Sequence, residues 1–381
     1  MYVPGDTPLW LDPSSGWARV GNLPASDQGR RALVVAPDTT DLIVTPVSKS
    51  TDNRTIETRE FVLAEKGKAR VIETTEAWGL ADFNLRQSLE SVEGEKIKDV
   101  LKPYVESMYL AEGVASAEFT KSQDLSTPYH LKLEATGVKR AWTEENDAGV
   151  AILLPPLLSS LPQYFWREED NKKTEEGSAT GKKPKERSKT DIVLPQPFVT
   201  EWRYRIVPPP RFTPHPLPKN ETIRMGPVEL SKEFAQADEG VVTATLRFDT
   251  VKRRLTREEA EALRSGVLEL QKADPTIITF EQTGQAYLAA GRIREAIAEF
   301  RRLARLHPGE ALHAAQTAQA LLAPRGWEKP RGKRRSAPLI SNWTRPTAIA
   351  RRAGFCSTIW SGVASRRALI SRAPSPPIVN H

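Results

Sequence analysis

The chain reads as an α+β protein: antiparallel β-sandwich-like domain(s), followed by an α-helical hairpin segment and a disordered tail. Three observations carry that reading. Tyr129, Leu131, Leu133 and Ala135 alternate with His130, Lys132 and Glu134, and Val242, Ala244, Leu246 and Phe248 alternate with Thr243, Thr245 and Arg247; a period of two means strands with one wet face. Between Ile277 and Glu310 small and aromatic residues recur as two closely crossing helices require. From Pro324 onward that pattern stops.

In chain order, two Thr/Ile/Val-rich runs, Arg54 to Leu63 and Ala69 to Trp78, flank Gly67 and predict a hairpin. Ile97, Val100, Leu101, Tyr104, Val105 and Met108 fall at helical spacing and form a core face, with Pro103 expected to kink the helix or mark its start. A strand holding Trp202, Tyr204 and Ile206 must stop at Pro208, Pro209 and Pro210, which cannot donate ladder hydrogen bonds. Val228 to Phe234 with Val241 to Phe248 predicts a second hairpin around Gly240, so the sheet is expected to be antiparallel. A helix begins at Thr256, where Glu259 three residues on completes a capping box, and runs through Leu263, Val267 and Leu270; it is expected to dock the hairpin on the β-rich domain, bounded at 31–256.

Within that domain, 167–191 holds eight basic and seven acidic side chains in twenty-five residues with no large apolar group. Such a segment cannot offset its ordering entropy and is expected to be a disordered insert. A length of 381 residues implies two to three domains. The single cysteine, Cys356, excludes an intrachain disulfide framework and a cysteine zinc cluster. Gly177 to Lys183 lacks the ordered glycines of a phosphate cradle, so no cofactor, metal or nucleotide is expected. The first thirty residues show no secretory signal, and no run of about twenty apolar residues could span a membrane.

The segment 277–310 carries Phe280, Gly284, Tyr287, Gly291, Ala296, Phe300 and Pro308 at the positions of a tetratricopeptide repeat, which it resembles. Gly284 and Ala296 are small where the helices cross, Tyr287 and Phe300 fill the space between them, Gly291 turns the chain and Pro308 ends the second helix. Ala311, Ala314, Ala318, Ala320 and Leu321 fit the first helix of another repeat, so 257–323 is expected to be helical, with one repeat and half of a second. The resemblance implies a protein or peptide partner.

Residues 324–381 contain twelve Lys or Arg against the single acid Glu328; these account for +11 of a formal net charge of +7, so the preceding 323 residues carry −4. The tail can be read as an arm for nucleic acid or an anionic membrane, as a solvated terminus, or as the product of a reading-frame slip in a GC-rich gene. The frame slip is the favoured expectation, because the repeat pattern collapses in mid-unit. It predicts that another frame of the coding DNA after Ala323 restores the missing helices. Trp343, Phe355 and Trp360 are too scattered to build a stacking platform, which argues against nucleic acid.

At the other end, Leu9-Trp10-Leu11-Asp12-Pro13-Ser14-Ser15 resembles the end of a transglutaminase-like catalytic core, where a strand carries an Asp just before a Pro. The likeness, to bacterial proteins with such a core, flanking β-rich domains of undefined function and tetratricopeptide repeats, extends over Leu9 to Asp38, Asn53 to Gly79 and Phe198 to Arg211. It implies that 1–30 is the remnant of a Cys-His-Asp core, with Asp12 as vestigial third triad member and the Cys and His upstream. It also implies extracytoplasmic, often periplasmic, placement. Read alone, Asp12 is expected to be simply a turn carboxylate ahead of Pro13. The histidines (His130, His215, His307, His313, His381) are dispersed, with none at triad spacing.

The expected function is therefore a non-catalytic fragment acting through protein contacts. The alternatives are the substrate-positioning part of a thiol transamidase or peptidase, and nucleic-acid binding through the tail.

Overall fold

The computed structural model describes residues 1–6, 8–37, 39–65, 67–167 and 191–322. Nearly all of the charged insert expected at 167–191, and the tail at 324–381 with Cys356 and His381, lie outside the described residues.

One curled, mixed sheet of eleven strands forms the body. In chain order its strands are β1 (Arg54–Val62), β2 (Gly67–Ala77), β3 (Gly113–Phe119), β4 (Tyr129–Thr143), β5 (Asp147–Ile152), β6 (Val199–Val207), β7 (Phe212–Pro214), β8 (Glu221–Met225), β9 (Val228–Gln236), β10 (Val242–Asp249) and β11 (Thr276–Gln282). They lie in the order β7-β11-β5-β4-β2-β1-β6-β10-β9-β8, with β3 on the free side of β4. Helices α1 (Leu80–Leu89), α2 (Lys96–Tyr109) and α3 (Arg257–Lys272) accompany the sheet, and α4 (Thr283–Ala289), α5 (Ile293–Leu306) and α6 (Ala311–Leu322) follow it.

Both expected hairpins form, β1 with β2 and β9 with β10. The all-antiparallel expectation fails at one place: β6 runs parallel to β1, with Tyr204 opposite Arg59 and Trp202 opposite Glu57. The structure does not confirm a sandwich. Among the described residues, the other sheets are three two-stranded ribbons, and the inner face of the large sheet is covered by helices. Phe61, Val71, Leu133, Ile206, Leu246 and Phe248 line that face with Leu101 and Val105 of α2 and Leu263 and Val267 of α3. The outer face is wet and charged, with Arg205 paired to Glu60 at 2.9 Å and Arg203 to Glu201 at 2.7 Å.

Local chemistry sets the helices. Thr256 Oγ1 accepts from Glu259 N at 3.3 Å while the Glu259 carboxylate accepts from Thr256 N at 2.8 Å, the predicted reciprocal cap of α3. Pro103 neither starts nor ends α2, which continues through it to Tyr109.

The largest departure lies at the start of the expected repeat. Thr276–Gln282 is a strand, antiparallel to both β5 and β7, with Ile278 and Phe280 in the sheet core. Its β-branched and aromatic composition at period two favours the pleated surface, and two neighbouring edges receive its hydrogen bonds. The first helix of the hairpin is thereby reduced to seven residues, Thr283–Ala289. Phe280 fills the sheet core instead of the space between two helices.

Candidate functional site

Asp12 sits in a turn of its own making. Its Oδ1 accepts from Ser14 N at 2.9 Å and from Ser14 Oγ at 2.6 Å. These bonds hold the exposed carboxyl below the usual aspartate range. No histidine is among its partners: His130 is exposed on β4, and His313 is buried beside Glu310 (Nε2 to carboxylate 3.1 Å) and Gln316 (3.1 Å). Among the described residues no group of three or more His, Cys, Asp or Glu is arranged to hold a metal ion.

The remaining residues of the expected repeat do come together. A Cβ on Gly284 would lie 2.4 Å from Phe300 Cε1, so α4 and α5 cross where the sequence places its smallest residue. Ala296 and Phe300 are fully buried, and Tyr287 packs on their cluster beneath the Arg292 guanidinium, 4.4 Å from its ring centre. Gly291 takes the left-handed conformation (φ 73°) that turns the chain between them. Pro308 lies just beyond α5, which ends at Leu306.

Two contacts fix this hairpin to the sheet. Arg211 donates to Glu299 at 2.7 Å, and Gln316 Nε2 donates to Asn146 Oδ1 at 2.8 Å and to Gln282 Oε1 at 3.1 Å. Between α5 and α6 runs a groove of about 680 Å³ lined by Ala298, Ala304, Ala314 and Thr317 and flanked by Arg301 and Arg305. The two acids of α5 are already neutralised, Glu299 by Arg211 and Glu295 by Arg292 at 3.0 Å. Arg301 and Arg305 form no ion pair among the described residues. The groove thus combines small apolar walls with uncompensated positive charge. Arg301 and Arg305 stand four residues apart on one helix face, but the sequence alone does not mark them out from Arg294 and Arg302 of the same helix.

A second cluster lies inside the body. Alternation along β1 turns Glu57, Arg59 and Phe61 to the inner face, where Glu73 of β2 and Trp202 and Tyr204 of β6 meet them. The fully buried Arg59 donates to Glu73 at 3.1 Å, to Tyr204 Oη at 2.7 Å and to Glu57, and its guanidinium stacks 3.8 Å from the Trp202 ring centre. From α2, Tyr104 donates to Glu73 at 2.9 Å, and Tyr109 donates to the same carboxylate.

Burial pushes Glu57 up to about 7; Arg59 opposes that shift and Glu73 adds to it. The Trp202 indole N–H lies close enough to favour the ionised carboxylate but makes no hydrogen bond of acceptable geometry. Chemically the cluster can hold a proton near neutral pH and lock α2 to the sheet. Its signal was in the sequence, since Glu57 and Arg59 share the face of Phe61, where charge is out of place.

A third buried pair is a loop clamp. Arg86 grips Asp82 through two bonds of 3.0 Å and donates to the carbonyls of Asp124 at 2.6 Å and Thr127 at 2.7 Å.

In comparisons with known proteins, no family model, no curated protein and no solved structure matches this chain.

Proposed function

We propose that this chain is a non-catalytic protein-contact scaffold that holds an acidic, partly apolar peptide segment in the groove between α5 and α6. The observation that carries the reading is the pairing of small walls with the free cations Arg301 and Arg305, on a helix whose own acids are spoken for. Alanines leave room for a partner's side chains, and two exposed, unpaired guanidinium groups favour carboxylates over neutral or basic segments. The tetratricopeptide likeness of the hairpin points the same way, and the transglutaminase-like resemblance of the first residues supplies an origin for the chain without requiring it to react. Asp12 Oδ1 accepts from Ser14 N and Oγ, the arrangement of a turn carboxylate.

The test is fluorescence anisotropy of a labelled peptide alternating Glu with Leu, against the same peptide with Lys for Glu. Binding of the acidic peptide is expected to weaken with salt. It is expected to fall at least about tenfold in the Arg301→Glu/Arg305→Glu double variant, a loss of about 1.4 kcal/mol. Equal binding by the double variant, or equal binding of the Lys peptide, refutes the reading.

A further inference from the structure

Where α6 meets the sheet, a histidine is enclosed. His313 is 5% exposed, and its neighbours Gln316 and Gln282 are buried with it. Three residues apart, His313 and Gln316 share one face of α6. That face meets Asn146, just ahead of β5, and Gln282, the last residue of β11. Gln282 N donates to Asn146 O at 2.9 Å, so one backbone contact presents both amide side chains to the helix. On the other side of the ring stands Glu310, in the turn before α6, with its carboxylate 3.1 Å from Nε2. His307, at the end of α5, brings its ring centre to 6.0 Å. In the adjoining ladder Asp147 and Glu281 stand opposite each other.

The hydrogens around this ring can be counted. Gln316 Nε2 commits both of its own, to Asn146 Oδ1 at 2.8 Å and to Gln282 Oε1 at 3.1 Å. Its Oε1 therefore faces His313 Nδ1, at 3.1 Å, and an amide oxygen can only accept. The Glu310 carboxylate at Nε2 also accepts. A neutral imidazole has one ring hydrogen for these two acceptors, whereas an imidazolium has two. Without the second proton, either a lone pair on Nε2 opposes the carboxylate or a lone pair on Nδ1 opposes Gln316 Oε1. Relieving the second clash reverses the Gln316 amide, and with it both bonds to the sheet.

We infer that His313 is a proton-operated latch between α6 and the sheet. With the proton on, His313 donates to Glu310 and Gln316, and Gln316 donates onward to Asn146 and Gln282. With the proton off, one link of that chain opposes its neighbour and α6 is held less firmly. A histidine that gains a carboxylate partner on folding stabilises the protonated form, so the latch is closed at low pH and released as pH rises through the range where histidine titrates. Ala314 and Thr317, which line the groove, adjoin His313 and Gln316 on the same helix, so the proton also sets the bearing of one groove wall. The latch itself does not depend on a peptide occupying the groove.

Hydrogen exchange of the full chain between about pH 5 and 8, corrected for the intrinsic pH dependence of amide exchange, tests it. Protection in α6 is expected to be at least about threefold greater at the acid end, the modest size of a pair whose carboxylate is partly exposed. Reading α6 alone separates this effect from the titration of Glu57, which acts within the body. His313→Gln and Glu310→Gln each abolish the dependence, and His307→Gln keeps it. Glu310→Gln alters a partly exposed group, so it reads the latch even where the buried substitution unsettles the hairpin. Protection in α6 that is flat with pH overturns the proposal. So does a dependence that survives His313→Gln or Glu310→Gln, or one that disappears with His307→Gln.

Discussion

The sheet body buries one continuous apolar cluster running from Phe61 on β1 to Phe280 on β11, whereas the hairpin of α4, α5 and α6 fully buries only Leu288, Ala296, Phe300, Leu303 and Ala320 of its own. The body can therefore carry an internal ionic cluster around Arg59 and remain folded. The hairpin has no such reserve and relies on Arg211 and Gln316 to hold it to the sheet. The groove proposed to hold a peptide sits on the part with the smaller core.

The strongest way to break this contrast is Arg59→Met, which leaves Glu57 and Glu73 buried without their cation. Stability is expected to fall by about 3–5 kcal/mol in chemical denaturation, the cost of removing one partner from a buried ion pair. A loss below about 1 kcal/mol means that water reaches the cluster and the body's reserve is not being drawn on.

Next comes Gly284→Ala, whose added methyl meets the Phe300 ring. Overpacking is expected to cost about 1–3 kcal/mol, read as faster hydrogen exchange across 283–306 with the main unfolding transition unchanged. If the whole chain unfolds earlier instead, hairpin and body are one cooperative unit.

Glu57→Gln gives a smaller effect that depends on pH. The folded carboxyl titrates at about 7, above its ordinary value of 4.5. Its contribution to stability is thus complete below pH 4.5 and lost as pH rises through 7. Glutamine imitates the protonated form, so the variant should match the parent near pH 4.5 and exceed it by about 1–2 kcal/mol at pH 8. A pH-independent difference between the two proteins removes Glu57 as the titrating group.

Gln316→Ala is the mildest. Loss of its bonds to Asn146 and Gln282 should cost about 1 kcal/mol, confined to exchange in α6. Uniform loss of protection across β5 and β11 would instead place the junction inside the body's cooperative unit.

What was legible in the residues was local. Strand-forming runs around Gly67 and Gly240 named both expected hairpins, Thr256 with Glu259 named the start of α3, and the prolines after Val207 ended β6 where expected. The parallel pairing of β6 with β1 was not legible, because the two strands are separated by more than a hundred residues and nothing in a period of two reports strand direction. The segment 276–282 went the other way. Its spacing fits a repeat helix, but the unpaired edges of β5 and β7 reward an extended chain, and tertiary hydrogen bonding overrode the local pattern. Of the residues named for the repeat, Ala296, Phe300 and Tyr287 share a small cluster, whereas Phe280 lies in the core of the sheet. The groove arginines could not be singled out until the partners of Glu295 and Glu299 were known.

One junction has a mechanical consequence. β11 ends at Gln282 and α4 begins at Thr283, with no linker between them. Tension applied to the hairpin by a bound partner therefore passes straight into a strand gripped on both edges, and loads those ladders in shear along their length. The junction offers no flexible stalk, and a pull on α4 is borne between two neighbouring strands instead of at a free edge.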